Sequence, residues 1–268
     1  DLRLIPNREY HFVVFADFVD QDDATDVADI KVQSTLGLHH TIGATLQDIT
    51  IYDDAINDEC TDAYFATRDI TITNSAANGI ELKRPYGKVR VIATDLAELN
   101  LNVDPKAVKV TYTAPHLVGF NAVNGAIATE SATTEYEYYY AEISKWDLSK
   151  HVYTAGYDAK TVENADKQVR HSHMTLFTDY ILATDNQESR QFTMLVCDQY
   201  GAPIKETAFN TEIPVQRNHL TTIIGNVLTS GMDVKITIDD NFASEAETGA
   251  SLERRLLETL INGGKFTL

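Results

Sequence analysis

The chain has few of the residues that build common catalytic and metal motifs. Its two cysteines, Cys60 and Cys197, lie far apart and in no metal-type spacing, so they predict neither a zinc site nor a disulfide framework. We expect two separate buried thiols, and a disulfide between them in an oxidising compartment is an alternative that only geometry decides. The 13 glycines are scattered and form no phosphate-binding loop, which argues against nucleotide chemistry.

Long hydrophobic runs are also missing. No stretch approaches the roughly 20 apolar residues of a membrane-spanning helix, and the chain does not begin with a basic and then apolar signal region. The sequence therefore predicts no membrane span in this chain. Both ends resemble the middle of an extended segment, so we expect the chain to be a segment of a longer protein. An export signal that has been removed is a second interpretation.

Basic residues are scarce relative to acidic ones. The chain has 22 Lys and Arg against 40 Asp and Glu, which gives a formal net charge of −18. This charge would repel phosphate backbones and anionic membrane surfaces, so we expect no nucleic-acid partner. The acidic residues are spread along the chain, a distribution that is typical of a solvated surface.

What the chain does contain is alternation of apolar and polar residues with period two. The clearest case is 233–239, where Val234, Ile236 and Ile238 share one face of a strand. Segment 108–113 follows the same pattern. Denser runs with apolar residues on both faces predict central strands: 10–18, 174–183 and 192–197.

Many short strands separated by turn residues predict an all-β fold of two tandem β-sandwiches. The apolar share of 43% is enough to fill their cores. Alternation is lost after residue 94, which predicts an N-terminal sandwich over 1–94 and a C-terminal sandwich over 95–242.

Two local patterns add detail to this outline. Pro85 and Gly87 predict a turn between the two strands of a hairpin within 79–93. The last segment, 243–268, starts with an acidic stretch and then carries an apolar stripe at helical spacing. That stripe predicts a C-terminal amphipathic helix over 251–262, followed by a short strand.

Candidate metal ligands and catalytic groups are few. His171 and His173 would point the same way in a strand and could offer two imidazoles to a metal, but no third ligand is evident, and His39 and His40 would point to opposite sides. Two acidic clusters lack the Gly and Glu of a calcium loop: 17–23 and 53–59. No serine lies in a nucleophile elbow. We therefore predict no metal, no cofactor and no catalytic residue.

One aromatic concentration is a weak candidate for ligand binding. Tyr136, Tyr138 and Tyr140 would share one face of a strand, with Tyr139 on the other. An exposed row of tyrosines could stack on a sugar or pack on a partner. The interpretation that we prefer is a core strand with the tyrosine hydroxyls at its rim.

Three segments together resemble the fimbrillin-like surface proteins of Bacteroidales, the subunits of type V pili and their relatives. They are LKRPYGKVRV at 82–91, IPVQRNHLTTIIGNVLT at 213–229 and VKITIDDNF at 234–242. The second is the most specific, because strand propensity alone does not produce such a string. The resemblance covers the chain from about its first strand to Phe242.

The resemblance implies two transthyretin-like β-sandwiches in tandem, export as a lipoprotein and a place on the outer cell surface. In that family, subunits polymerise by strand donation, in which a segment of one protomer completes the sheet of the next. The family's motifs are structural, so no catalytic residue carries over. The chain departs from the family outline in two ways: the N-terminal strand and lipidated cysteine are absent, and residues 243–268 extend past the usual closing strand.

These observations lead to one main hypothesis and two alternatives. The main one is a non-catalytic fimbrial or fimbrillin-like subunit at the cell surface, attached to the outer membrane or part of a fimbria, that acts in pilus assembly and adhesion. Its partners would be other pilus subunits, or a host or glycan ligand. The alternatives are a stand-alone carbohydrate-binding or adhesive surface lipoprotein and, with only abundant carboxylates to suggest it, a glycan-acting enzyme.

Overall fold

The protein is described by a computed structural model, which is all-β as the sequence predicts. It describes residues 4–17, 40–51, 61–73, 79–95, 98–99, 107–139, 161–163, 169–171, 174–198, 200–229, 234–239 and 265–267. No helix in these ranges is long and apolar enough to cross a membrane. The predicted helix over 251–262 lies outside them.

The described residues form 18 strands. They are β1 Glu9–Asp17, β2 His40–Ile42, β3 Ile49–Ile51, β4 Ala63–Thr71, β5 Gly79–Glu81, β6 Tyr86–Ala93, β7 Ala107–Tyr112, β8 Leu117–Asn121, β9 Ala126–Glu130, β10 Glu135–Tyr139, β11 Thr161–Glu163, β12 Val169–His171, β13 Met174–Leu182, β14 Glu188–Cys197, β15 Pro203–Val215, β16 Leu220–Gly225, β17 Val234–Asp239 and β18 Lys265–Thr267.

Two four-stranded sheets pack on each other and form the main sandwich. Their strand orders are β10-β7-β14-β15 and β13-β6-β16-β17. Alternate residues of both sheets point inward and fill one core, as in other sheet-on-sheet packings. The aromatic members of this core are Tyr112, Tyr136, Phe177, Phe192 and Phe209.

A second, smaller core lies beside the main sandwich. It is covered by a sheet of order β2-β3-β8-β9 and by the pair β1-β4. Tyr86 and Tyr180, at the ends of β6 and β13, also pack into it. The two cores therefore share strands, and β6 and β13 contribute to both.

The centre of the main sandwich is a parallel pair made by two of the segments on which the family resemblance rests. β6 and β16 pair from Leu220↔Lys88 to Gly225↔Ala93. A tight turn before β16 sets this register, because Asn218 N donates to Tyr86 O at 2.6 Å. Asn218 has a φ of 61°, in the left-handed region that asparagine tolerates better than most residues.

Strand pairing crosses the boundary that the sequence predicts between residues 94 and 95. β6 lies before it, yet it sits between β13 and β16. β8 and β9 lie after it, yet β8 pairs with β3 of the N-terminal part. The sheets are therefore not divided at that position, because non-local pairing decides which strands share a sheet, and the division into two folding domains there stays a prediction.

The predicted hairpin within 79–93 is wrong. β5 pairs with β18, and β6 pairs with β13 and β16. Gly87 lies inside β6, where a Cβ atom would come within 2.7 Å of Val215 Cγ1 and 2.8 Å of Gln216 O. The glycine is therefore needed for close packing and not for a turn.

Several local predictions are confirmed. β7 and β17 form where the period-two pattern predicts them, and β14 is central, with β7 on one side and β15 on the other. β18 forms in the predicted C-terminal strand. Cys197 is a buried free thiol, and Cys60 lies outside the described residues.

The close approach at Gly87 gives a test of the fold. We expect Gly87→Ala to lower the free energy of unfolding by about 1–3 kcal/mol, because the methyl group would overlap the β15–β16 connection. Gly201→Ala is the comparison, since its φ of +77° is strained but nothing lies within 4 Å of the new Cβ; it should cost only about 1 kcal/mol. Urea unfolding of both variants measures this, and equal losses would contradict the packing explanation.

Candidate functional site

A buried ion pair joins the chain just before β4 to the chain just before β6. Arg84 Nε donates to both carboxylate oxygens of Asp62, at 2.9 and 2.7 Å, and Tyr64 donates its hydroxyl to the same carboxylate at 3.0 Å. Burial is the largest influence on the pKa of Arg84 and lowers it, but the charge and hydrogen bond of Asp62, together with Tyr64 and Tyr180, outweigh burial and raise the pKa overall. Since the two charges neutralise each other inside the protein, the pair holds the strands together.

A second buried guanidinium, that of Arg217, ties the turn before β16 to the smaller core. Its nitrogens donate to Ala183 O at 2.9 Å and Gly125 O at 2.5 Å. The group lies 5.2 Å from the centroid of the Phe65 ring, and Nη1 is 3.6 Å from Asp185 Oδ2. Burial lowers the pKa of Arg217, and the nearby carboxylates offset this in part.

The one described tyrosine side chain of the aromatic candidates lies inside the main core. Tyr136 is only 5% exposed, and its ring stacks on that of His116 with the two ring centroids 4.7 Å apart. Beside it, Tyr112 donates its hydroxyl to Asp179 at 2.7 Å. Burial, and secondly the Asp179 charge, raise the pKa of Tyr112 well above its ordinary value. Tyr136 therefore offers no open ring face to a ligand.

The structure describes the other tyrosine candidates only in part. The backbones of Tyr138 and Tyr139 lie in β10, whereas their side chains and all of Tyr140 lie outside the described residues. Their role in ligand binding stays a prediction.

The histidines that the sequence singled out do not come together as metal ligands in the described part of the chain. His40 is buried and hydrogen-bonds the Tyr86 hydroxyl, while the backbone of His171 lies in β12. His39 and His173 lie outside the described residues. Among the residues that the structure describes, no group of three His, Cys, Asp or Glu side chains could hold a metal ion.

The feature best suited to binding another molecule is the side of the main sandwich where both sheets end, at β15 and β17. In the described part of the chain, β15 pairs only with β14, and β17 pairs only with β16. The sheets approach each other here, because Thr207 of β15 donates its hydroxyl to Val227 O at 3.0 Å. We call this side of the sandwich, formed by β15 and β17, the open side.

The backbone groups of β15 that face away from β14 can be assigned from the hydrogen bonds of β14. Gln191 O of β14 accepts from Thr113 N, so odd-numbered residues of β14 face β7 and the even-numbered Phe192 faces β15. Its partner Phe209 then faces β14, and Ala208 directs its N–H and C=O away from the sheet. Ala208 is also exposed, so a strand could hydrogen-bond there without disturbing the ladder.

The same alternation applies to β17. Lys88 N donates to His219 O and Thr94 N donates to Gly225 O, so odd-numbered residues of β16 face β6 and even-numbered ones face β17. The even-numbered residues of β17 therefore direct their backbone groups outward. Three apolar side chains pack on the main core at this side but stay partly exposed: Ile204, Val234 and Ile236. An added strand would cover them.

The family of the chain is decided by a match that covers nearly all of it. A model of the family described as "Family of unknown function (DUF6562)" matches residues 1–258. The chain belongs to the DUF6562 family. A search of curated proteins found no match to this DUF6562 chain.

The DUF6562 chain also resembles solved structures from Bacteroides at low identity. A proposed cell adhesion protein from Bacteroides ovatus has 12% identity and a TM-score of 0.36, with 86% of this chain and 61% of that one covered. A proposed adhesin from Bacteroides thetaiotaomicron has 9% identity and a TM-score of 0.39, covering 89% and 78%. A proposed polysaccharide-binding protein from the same species has 10% identity and a TM-score of 0.43, with 89% of this chain and 76% of that one covered.

The buried ion pair gives a stability test. We expect Arg84→Met to lower the free energy of unfolding by about 3–5 kcal/mol, because it leaves Asp62 buried without its counter-charge. The double variant Asp62→Leu/Arg84→Met should recover much of this loss, since no lone charge remains. A double-mutant cycle by urea unfolding checks the pair, and purely additive losses would show that the two residues act independently.

An exposed carboxylate at the β13–β14 turn gives a pH test. Lys83 Nζ donates to Asp185 at 2.9 Å; this bond first, and the Arg217 charge second, hold the pKa of Asp185 below its ordinary value of 3.8. The resulting stabilisation is present above pH 3.8 and is lost as the pH falls through the lower pKa of the folded state. The melting temperature of the wild type should therefore be higher than that of Asp185→Asn at pH 7, and the two melting temperatures should become equal near pH 2. A constant difference at both pH values would contradict the assignment.

Proposed function

We propose that this protein is a non-catalytic, adhesive surface subunit of the fimbrillin-like kind, and that it joins neighbouring subunits by strand addition at the open side of the main sandwich. The observation that carries the proposal is that both sheets end there on strands with outward backbone groups, above partly exposed apolar side chains. Strand addition needs this combination, because the backbone supplies hydrogen bonds and the apolar side chains supply pockets.

The buried ionisable groups support a structural role for the interior. Asp62 is bound by Arg84, and Asp179 accepts from Tyr112. Asp95 is fully buried and accepts from the backbone N–H groups of Leu228 and Thr229 after β16, at 3.0 and 2.6 Å. A catalytic acid or base needs to reach a substrate, whereas each of these carboxylates is committed to holding strands together.

The fimbrillin-like role is preferred to a stand-alone carbohydrate-binding lipoprotein. The carbohydrate hypothesis depended on a row of exposed tyrosines, and Tyr136, the member with a described side chain, is part of the core. The open side, in contrast, matches the strand donation that the sequence resemblance implies. We accordingly propose a place outside the cell, in a fimbria or attached to the outer membrane as a lipoprotein.

The test removes one outward N–H of β15. We expect Ala208→Pro to block strand addition, because proline has no N–H to donate and Ala208 faces away from β14. The association constant for multimers larger than a dimer should fall about 3- to 10-fold, because one hydrogen bond is lost at each contact. Size-exclusion chromatography with light scattering and negative-stain electron microscopy of the purified chain measure this.

Ala208→Ser is the matched control, since it keeps the N–H and is nearly the same size. Circular dichroism melting of both variants checks that the sandwich is intact. The proposal is wrong if the wild-type chain forms no multimers larger than a dimer, or if Ala208→Pro assembles as well as Ala208→Ser.

A further inference from the structure

β1 has the sequence of a central strand but the position of an edge strand. It pairs with β4 in an unbroken register from Glu9↔Thr71 to Asp17↔Ala63, and β4 is its one hydrogen-bonded neighbour strand among the described residues. The sequence predicts a central strand here, because apolar residues occupy both faces. A regular apolar edge of this length is a template for pairing with another strand.

Apolar side chains on both faces of β1 contact other parts of the protein, and they are still partly exposed to solvent. Val13 and Phe15 pack against the smaller core, while Phe12 and Val14 pack against a third cluster formed with β4 and β5. All four side chains have intermediate burial. A further strand beside β1 would therefore bury apolar surface on both faces of the sheet at once.

The outward backbone groups of β1 follow from its hydrogen bonds with β4. Ile72 N donates to Arg8 O, so the even-numbered residues of β1 face β4. The odd-numbered residues, including His11 and Val13, direct their N–H and C=O groups away from β4. No strand in the described part of the chain pairs with β1 on this side, so an added strand could hydrogen-bond to these groups.

The edge strand β9 lacks this regularity. β9, at the edge of the sheet β2-β3-β8-β9, is interrupted by Thr129, whose φ is 62°. Left-handed backbone at a β-branched residue is costly and breaks the straight ladder. β1 contains neither a bulge nor a proline nor a residue with positive φ, so it is the better edge for extension.

We propose that β1 pairs with β1 of a second copy of this chain, antiparallel and about a twofold axis at Val14. The two β1-β4 pairs then form one four-stranded sheet, β4-β1-β1-β4. A two-stranded pair is marginally stable by itself, whereas three or more strands with an apolar face are stable. Twofold pairing of one surface with itself is also the commonest way in which soluble proteins form oligomers.

The chemistry of β1 favours a second copy in this register. Val13 and Phe15 stand opposite each other twice, once on each side of the axis, so apolar residues meet apolar residues. His11 of one copy lies opposite an acidic residue, Asp17, of the second copy. A register centred on Val13 would instead place Glu9 of one copy directly opposite Asp17 of the other. Like charges that lie directly opposite each other are destabilising.

The first test removes the outward N–H of His11. His11 is exposed, so His11→Pro removes this N–H but no core side chain and no bond to β4. Sedimentation equilibrium of the full chain should show a dimer whose dissociation constant rises about 10- to 100-fold in His11→Pro, because two hydrogen bonds are lost, one from each copy.

His11→Ala is the control. It removes the exposed hydrogen bond between the His11 and Asp69 side chains, whose atoms are 2.6 Å apart, but keeps the backbone N–H, so the dissociation constant should stay within about threefold of wild type. A wild-type chain that is monomeric at all concentrations would overturn the proposal. Equal weakening by both variants would overturn it too, since the backbone would then not carry the contact.

The second test fixes the register and does not depend on proline. In a background of Cys60→Ser and Cys197→Ala, Val14→Cys should form a disulfide-linked dimer under mild oxidation. The two copies of residue 14 would form a non-hydrogen-bonded pair, in which opposite Cβ atoms are closest, at about 4.5 Å, and a disulfide spans about 3.5–4.5 Å. Val13→Cys should not, because the two copies of residue 13 lie diagonally, about 7–8 Å apart. Crosslinking of Val13→Cys with none of Val14→Cys would overturn the register.

The dimer is independent of the proposed function. His11→Pro acts on β1, and Ala208→Pro acts on β15, so each variant tests one edge. A chain that dimerises through β1 but forms no larger multimers keeps this inference and rejects strand addition at the open side. A chain with the opposite behaviour rejects the dimer and keeps strand addition.

Discussion

The parallel pairing of β6 with β16 is the constraint on which the rest of the structure depends. These strands come from distant parts of the chain, and every other strand of their sheet pairs with one of them. Three features hold the register: the left-handed turn at Asn218, the absence of a side chain at Gly87 and the hydrogen bond from Lys88 N to His219 O. The conspicuous sequences around these residues therefore encode a junction between strands.

The polar residues of the interior serve the same junction. Arg84, held by Asp62, lies just before β6, and Arg217, held by carbonyl groups and the Phe65 ring, lies just before β16. Buried charges are costly unless they are paired and hydrogen-bonded, and both guanidinium groups meet that condition. Arg217 links the smaller core to the main sandwich, because it contacts Phe65 of the smaller core and Ala183 of the main one.

The buried carboxylates Asp62 and Asp95 are committed to the interior, so we propose that the protein interacts through other features, at its surface. Here those features are strand edges: the open side at β15 and β17, and the apolar edge of β1. Main-chain hydrogen bonds at such edges require only that the partner be extended, and apolar pockets select its side chains. Strand edges of this kind suit the assembly that we propose.

The sequence by itself determined the all-β class and the positions of strands such as β7, β14 and β17, because alternation is a local property of a strand. It did not determine which strands become neighbours. Gly87 is predicted to be a turn residue but supports packing, and β1 is predicted to be central but has one described neighbour. Pairing between distant strands decides each of these outcomes, and the pattern of a single segment does not specify its partners.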